Sequence, residues 1–166
     1  LSMAKVRMNK RIWYLCKRMN DMDLYVKRFE ELSAGELYDI LQLRVAVFVV
    51  EQQCAYQELD GKDFCALHVY LKDEAGIQAY LRVLDKGVSF EEVSIGRVLT
   101  RKRNSGLGRR ILSEGMKAAR EQLQAEQIRI EAQTYAKGFY EKLGFRQVSE
   151  EFLEDGIPHI QMLWNV

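Results

Sequence analysis

The stretch RNSGLG (103–108) lies between a strand-like run, VSIGRVLT (93–100), and a helix-like one, RRILSEGMKAAREQLQ (109–124). A strand that turns through two glycines into a long helix commits the chain to layered α/β architecture, since each element must bury its apolar side on the other. The turn itself has three readings. Missing Cβ atoms let the backbone approach an anion, which the free N–H groups and dipole of a helix N-terminus favour. The same basic stretch also suits contact with nucleic acid, or a plain solvated turn. Two familiar phosphate loops do not fit. A dinucleotide fingerprint needs a third glycine where Ile111 stands, and a Walker loop needs Lys-Ser/Thr where Arg109 and Arg110 follow Gly108.

Around this junction strands and helices alternate without a linker or an internal repeat. DLYVKRF (23–29) reads as a first strand, and Ser33 with Glu36 forms a capping box for a helix whose buried stripe is Leu37, Ile40, Leu41, Val45 and Phe48. CALHVYLK (65–72) and IQAYLRVL (77–84) alternate with period two about a turn at Asp73–Gly76, which predicts a hairpin. The long helix buries Leu112, Met116, Ala119 and Leu123. After it come a strand, IRIEAQ (128–133), a short helix over 136–143 ended by Gly144, and strands near 145–152 and 159–164. The expected fold is α/β (α+β): a mixed, mostly antiparallel sheet of six to seven strands with helices on both faces.

The chain has 166 residues, 48% hydrophobic with one proline, which suits one compact domain. Its 25 basic and 24 acidic residues are unevenly spread: residues 1–21 hold six basic side chains and one acid, leaving 19 against 23 in the rest. That basic stretch has no apolar core long enough for a signal peptide. An RNA- or membrane-touching tail and an extra helix are alternatives; the expectation is an upstream extension, with translation starting near Met22 and one domain over 22–166. Three irregularly spaced cysteines, Cys16, Cys54 and Cys65, point to a reducing cytoplasm, and apolar runs such as VAVFVV (45–50) are too short to span a bilayer.

The wider pattern carries a resemblance. R-x-x-G-x-G at 103–108, then a helix, a strand and FYEKLGF (139–145), resembles the GNAT superfamily of N-acetyltransferases. LRVAVFVVEQQCAYQELDGKD (43–63), IGRV (95–98), EAQ (131–133) and EDGIPHI (154–160) look like its ElaA-like branch. The resemblance implies a sheet splayed between strands 93–100 and 128–133, with the pantetheine arm of acetyl-CoA lying in the gap. It places the pyrophosphate on Arg103, Asn104, Ser105, Gly106, Leu107, Gly108 and Arg109. Val98, Leu99 and Thr100 would face the arm through their backbone, and Gln133 stands where many members carry Asn. Tyr140 takes the family's general-acid position, its alternative role being a core aromatic, and a backbone N–H near Leu99 would meet the oxyanion.

The base and the acceptor are less constrained. His159 titrates near neutrality and is a candidate base; Glu131 faces either solvent or the cleft. Arg97 shares strand parity with Ile95 and Leu99, so it is expected either to contact substrate or to pair with an acid such as Glu51 or Asp60. Glu51 is the other candidate substrate contact. Cys65 and His68 lack a second pair to complete a metal site, and His68 is expected to pack. ELDGKD (58–63) suits either attraction of a cationic amine or a solvated loop. The reading is a cytoplasmic, acetyl-CoA-dependent N-acetyltransferase, monomer or homodimer, acting on a small-molecule or peptide amine, with no nucleic-acid or membrane partner and no metal. The alternative is a nucleic-acid- or protein-binding module built on Arg97, Arg101, Lys102, Arg103, Arg109 and Arg110, against which the acidic body and the lack of interleaved aromatics count.

Overall fold

The computed structural model describes residues 22–166; the expected extension at 1–21 lies outside the described residues. β1 (Asp23–Arg28) leads through a short 3₁₀ turn to α1 (Ala34–Arg44). The capping box forms as expected: Ser33 Oγ accepts from the Glu36 N–H (3.2 Å) and Glu36 Oε2 accepts from the Ser33 N–H (2.9 Å). The expected stripe is only partly right. Ile40 is buried, but its buried companions are Leu43 and Arg44, while Leu37, Leu41, Val45 and Phe48 are half covered. After Arg44 the winding widens to a π-helical segment, Val45–Glu51, which shifts every later side chain off the 3.6-residue register.

β2 (Ala66–Asp73) and β3 (Gly76–Leu84) form the expected hairpin, its turn tied by Asp73 Oδ1, which accepts from the Ala75 N–H at 2.9 Å. β4 (Val93–Thr100) pairs antiparallel with β3 and then runs into α2 (Leu107–Leu123), which begins two residues before the expected start. β5 (Gln127–Gln133) follows. The sheet order is β1-β2-β3-β4-β5-β8-β6, with β7 pairing β8 off this path, eight strands in all. The strands beyond the expected six or seven come from the last segment. The run 145–152 breaks into β6 (Arg146–Gln147) and β7 (Phe152–Glu154), both lying on β8 (Ile157–Asn165). The expected short helix likewise divides into a 3₁₀ turn, Thr134–Ala136, and α3 (Lys137–Glu141), with Gly144 ending the segment at φ 91°.

Among the described residues β4 and β5 are the one parallel pair, and only Val93 with Ile128 and Ser94 with Arg129 are in register. Beyond Ser94 the strands diverge, which is the splay expected from the resemblance. α2 covers one face of the sheet, where Leu107, Ile111, Leu112, Ala118 and Ala119 pack on Leu81, Val83, Ile95 and Ile130. α1 covers part of the other face, where Ile40 and Leu43 meet Tyr70, Tyr80 and Leu99. The rest of that second face stays open and forms the floor of a cleft.

Candidate active site

The cleft has a volume of about 560 Å³. Its floor is the diverging pair β4–β5; its walls are the segment after α1 (Phe48, Gln52, Cys54, Tyr56) and the β7–β8 turn (Glu154, Asp155). Of the residues expected in the site, Arg97, Val98, Glu131, Gln133, Tyr140 and His159 all line it. Leu99 does not: its side chain is 5% exposed and packs in the core beside Tyr80, so only its backbone can serve the cleft. Glu51 is also outside, paired with Arg103 on the surface, and both side chains are too exposed for that pair to contribute much stability.

Tyr140 projects from α3 into the cleft and is half-buried, with its ring edge-on to Phe139 (5.1 Å between centroids) and Phe145 (5.9 Å). Burial pushes its phenol well above the usual tyrosine range, so the hydroxyl keeps its proton. His159, on β8 opposite Gln133 of β5, has Nδ1 at 2.8 Å from the Ile157 carbonyl oxygen. In a neutral ring this contact assigns the hydrogen to Nδ1 and leaves Nε2, 3.7 Å from Glu154 Oε2, as the acceptor. Glu131 is exposed and accepts from Gln161 Nε2 at 3.0 Å. Gln133 donates from Nε2 to Gln52 Oε1 at 3.2 Å, joining the floor to the wall after α1.

The expected parity fails at Arg97. Tyr80 faces Leu99 and Arg82 faces Gly96, so Arg97 and Val98 together oppose Leu81 in a β-bulge, with Arg97 in the left-handed region at φ 55°. The bulge turns the guanidinium out of the core. Nε lies 2.7 Å from Glu58 Oε2 and Nη2 3.6 Å from Asp60 Oδ2. Asp60 was one expected partner; Glu58 was not.

ELDGKD is a solvated loop only in part: Leu59, Asp60 and Gly61 are exposed, but its other two carboxylates are buried. Glu58 is 3% exposed and Asp63 7%, and their carboxylates are taken up by arginines from three elements. Arg44, fully buried at the end of α1, donates from Nε to Glu58 Oε1 and from Nη1 to Asp63 Oδ1, both at 2.6 Å. Arg82 of β3 donates from Nη1 and Nη2 to the two oxygens of Asp60, each at 2.7 Å, and reaches Asp63 at 3.0 Å. Burial alone would raise the Asp60 and Asp63 carboxyls, but these guanidiniums reverse it and hold both below the usual carboxylate range. The Tyr56 hydroxyl donates to Glu58, so its oxygen offers only lone pairs to the cleft. His68 packs as expected, with Nδ1 2.9 Å from the Tyr80 hydroxyl and Nε2 3.0 Å from the Asp63 carbonyl. Burial pulls its pKa down. A charge at Arg44 on the buried side of its helix was the one sequence sign of this network.

At the wide end of the splay, the β4–α2 loop carries the glycines. Gly106 is the N-cap of α2 at φ 83°, with no side-chain cap, and Asn104 is also left-handed at φ 55°. The first turn has no acid; it has Arg109 and Arg110. Positive charge at an uncapped helix N-terminus opposes the helix dipole, and a bound anion removes that conflict. The basic cluster considered for nucleic acid is partly spent on the protein: Arg97 pairs with Glu58, Arg103 with Glu51, Arg101 Nε with the Ile77 carbonyl (2.7 Å) and Arg110 Nη2 with the Met22 carbonyl (3.2 Å).

Residues 36–166 match the acetyltransferase (GNAT) domain family. The chain belongs to the GNAT acetyltransferases. ElaA of Escherichia coli is 38% identical over 136 residues, covering 80% of this chain and 89% of ElaA. The crystal structure of E. coli ElaA superposes with a TM-score of 0.81 at 34% identity, spanning 87% of this chain and 99% of ElaA. An acyl-CoA N-acyltransferase from Pseudomonas aeruginosa is equally similar in structure, with TM-score 0.80, 39% identity and coverage of 86% and 99%. The ElaA-like features of 43–63 and 154–160 are the two walls of the cleft. Among the described residues no helix is long and apolar enough to cross a membrane.

Proposed function

We propose that this GNAT domain transfers acetyl groups from acetyl-CoA to a primary amine bound in the cleft beside β4 and β5. The observation that carries the reading is the opposition of two features across one splayed sheet. At its open end lies an uncapped, basic helix N-terminus with a left-handed glycine; in the adjoining cleft stand a protonated tyrosine whose hydroxyl has no hydrogen bond among the described residues and a histidine whose Nε2 faces Glu154. The N–H groups of the 106–109 segment suit the pyrophosphate, Arg103, Asn104, Ser105 and Arg109 suit its surroundings, and the backbone of Val98, Leu99 and Thr100 borders the gap the pantetheine arm needs. When bound, acetyl-CoA supplies an activated thioester.

The protein's own groups divide the remaining work. His159 Nε2 takes a proton from the incoming ammonium so that a neutral amine is presented, and Glu154 supports the charge that results. Tyr140 holds a proton at its phenol oxygen for the thiolate that departs. Glu131, on the floor of the cleft, favours a cationic acceptor. The test is thiol release from acetyl-CoA with a panel of primary amines, with the acetylated amine identified by mass spectrometry. Release that depends on an amine supports the proposal. Acetyl-CoA bound but never consumed, whatever the amine, contradicts it.

A further inference from the structure

The network of arginines and carboxylates beneath the cleft is not electrically balanced. Arg44, Arg82 and Arg97 are matched one for one by Glu58, Asp60 and Asp63. Lys62, which stands among them, has no carboxylate. Its backbone N–H is held by Asp60 Oδ1 (3.0 Å), while its ammonium group reaches into the cleft and donates to Ser89 Oγ at 2.8 Å. It is half-buried, and forms no ion pair among the described residues. Arg82, whose charge is matched, keeps a buried Nε with no hydrogen-bond partner among the described residues. One wall of the cleft thus carries an excess positive charge and spare donors.

The floor at β5 and the β7–β8 wall have the reverse imbalance. Neither Glu131 nor Asp155 forms an ion pair among the described residues, and Glu154 meets only His159, at 3.7 Å. Ser89 lies before β4 and the glycine loop after it, so Lys62 is set apart from the phosphate loop by the length of the strand, roughly 20 Å at about 3.3 Å per residue. Lys62 is therefore placed to meet the acceptor, not the coenzyme's phosphates.

Resting on the acetyltransferase reading, we infer that the acceptor is a small amine that also carries a carboxylate. The carboxylate sits at Lys62 and Ser89, and the amino group lies toward Glu131 and His159. A monoanion matches the single surplus charge; a phosphate dianion would leave one charge unmet in a partly desolvated site. A polyamine would set a cation against Lys62 and is disfavoured for the same reason.

The experiment compares ω-amino acids of rising length (glycine, β-alanine, γ-aminobutyrate, ε-aminocaproate) with alkylamines of matched length and with spermidine. Thiol release is read for each, and calorimetry measures their binding to protein saturated with coenzyme A. One or more amino acids are expected to exceed the matched alkylamine by about tenfold or more in kcat/KM and in affinity, the range of a charge-assisted hydrogen bond. Lys62→Gln should bring that ratio close to one, mainly through KM, and Lys62→Arg should restore much of it. Affinity for coenzyme A in both variants shows that the fold and phosphate loop are intact. Equal or better use of alkylamines or spermidine by the wild type overturns the inference. So does failure of every amino acid to bind the coenzyme-loaded protein, or a ratio unchanged in Lys62→Gln. Failure of acetyl-CoA itself to bind overturns the acetyltransferase reading instead.

Discussion

Tyr140 shows how a side chain can be packing and chemistry at once. Its ring is held edge-on between Phe139 and Phe145, yet its hydroxyl makes no hydrogen bond among the described residues, and burial keeps it protonated. Phe in its place preserves the ring contacts and removes only the donor. Tyr140→Phe should therefore lower turnover by about a hundredfold, the range of general acid catalysis, with little change in Tm or in affinity for acetyl-CoA. Tyr140→Ala should in addition cost about 3 kcal/mol of stability through the cavity it leaves. Unchanged turnover in the Phe variant would make Tyr140 a core residue alone. FYEKLGF marked this position in the sequence because it is a short, contiguous motif. Arg44 and Arg82 were not legible in the same way. Arg82 looks like a surface charge, and Arg44, although on the buried side of its helix, shows no partner until the 58–63 segment folds over it; these contacts join residues 14 to 22 positions apart.

At the scale of the element, α2 and its loop were the most readable part of the chain, because glycine at a helix start and apolar periodicity are local signals. The exact approach of the helix to the sheet was not. At Gly115 an added Cβ would lie 2.6 Å from Leu81 Cδ2 and 2.7 Å from Cδ1, and Leu81 is fully buried in β3. Glycine there permits the contact of helix and strand. Gly115→Ala is expected to lose about 1–3 kcal/mol by overpacking, although alanine is the better helix former by about 1 kcal/mol. Urea denaturation measures it; a variant as stable as the wild type would show that Leu81 moves aside freely. The segment after α1 is the opposite case. Helical periodicity over 34–48 predicted one continuous stripe, but the π-helical winding at Val45–Glu51 changes the period, and no residue in VAVFVVE announces it. The bulge at Arg97 was hidden for a related reason: parity arguments assume an unbroken pleat, and one extra residue reverses them.

For the molecule as a whole, the mixed, splayed sheet follows from strand–helix alternation together with the family pattern, whereas its strand order was not read from the sequence and the two short strands β6 and β7 are too brief to leave a periodic trace. Electrostatics tie the halves together. Lys27 and Tyr70 hold the Glu36 carboxyl down at about 2, and Asp60 and Asp63 lie below the usual range through Arg82 and Arg44 after burial has been overcome. Each of these carboxylates is more acidic folded than unfolded, so folding favours the charged form. Their stabilisation is complete above about pH 5 and is lost as the pH falls through 4 toward 2. Acid unfolding followed by circular dichroism should show that loss, and it should be blunted in Glu36→Gln, whose baseline stability is lower. A stability flat from pH 6 to about 2 would contradict the network's role.

Thermal unfolding with and without acetyl-CoA shows whether the β4–α2 loop holds coenzyme A. Ligand at a hundredfold excess over its dissociation constant should stabilise the wild type by about 2.7 kcal/mol. Gly106→Val, which forces a branched residue into the left-handed conformation at φ 83°, should lose that response. No shift in the wild type with acetyl-CoA, or an undiminished shift in Gly106→Val, would contradict the account.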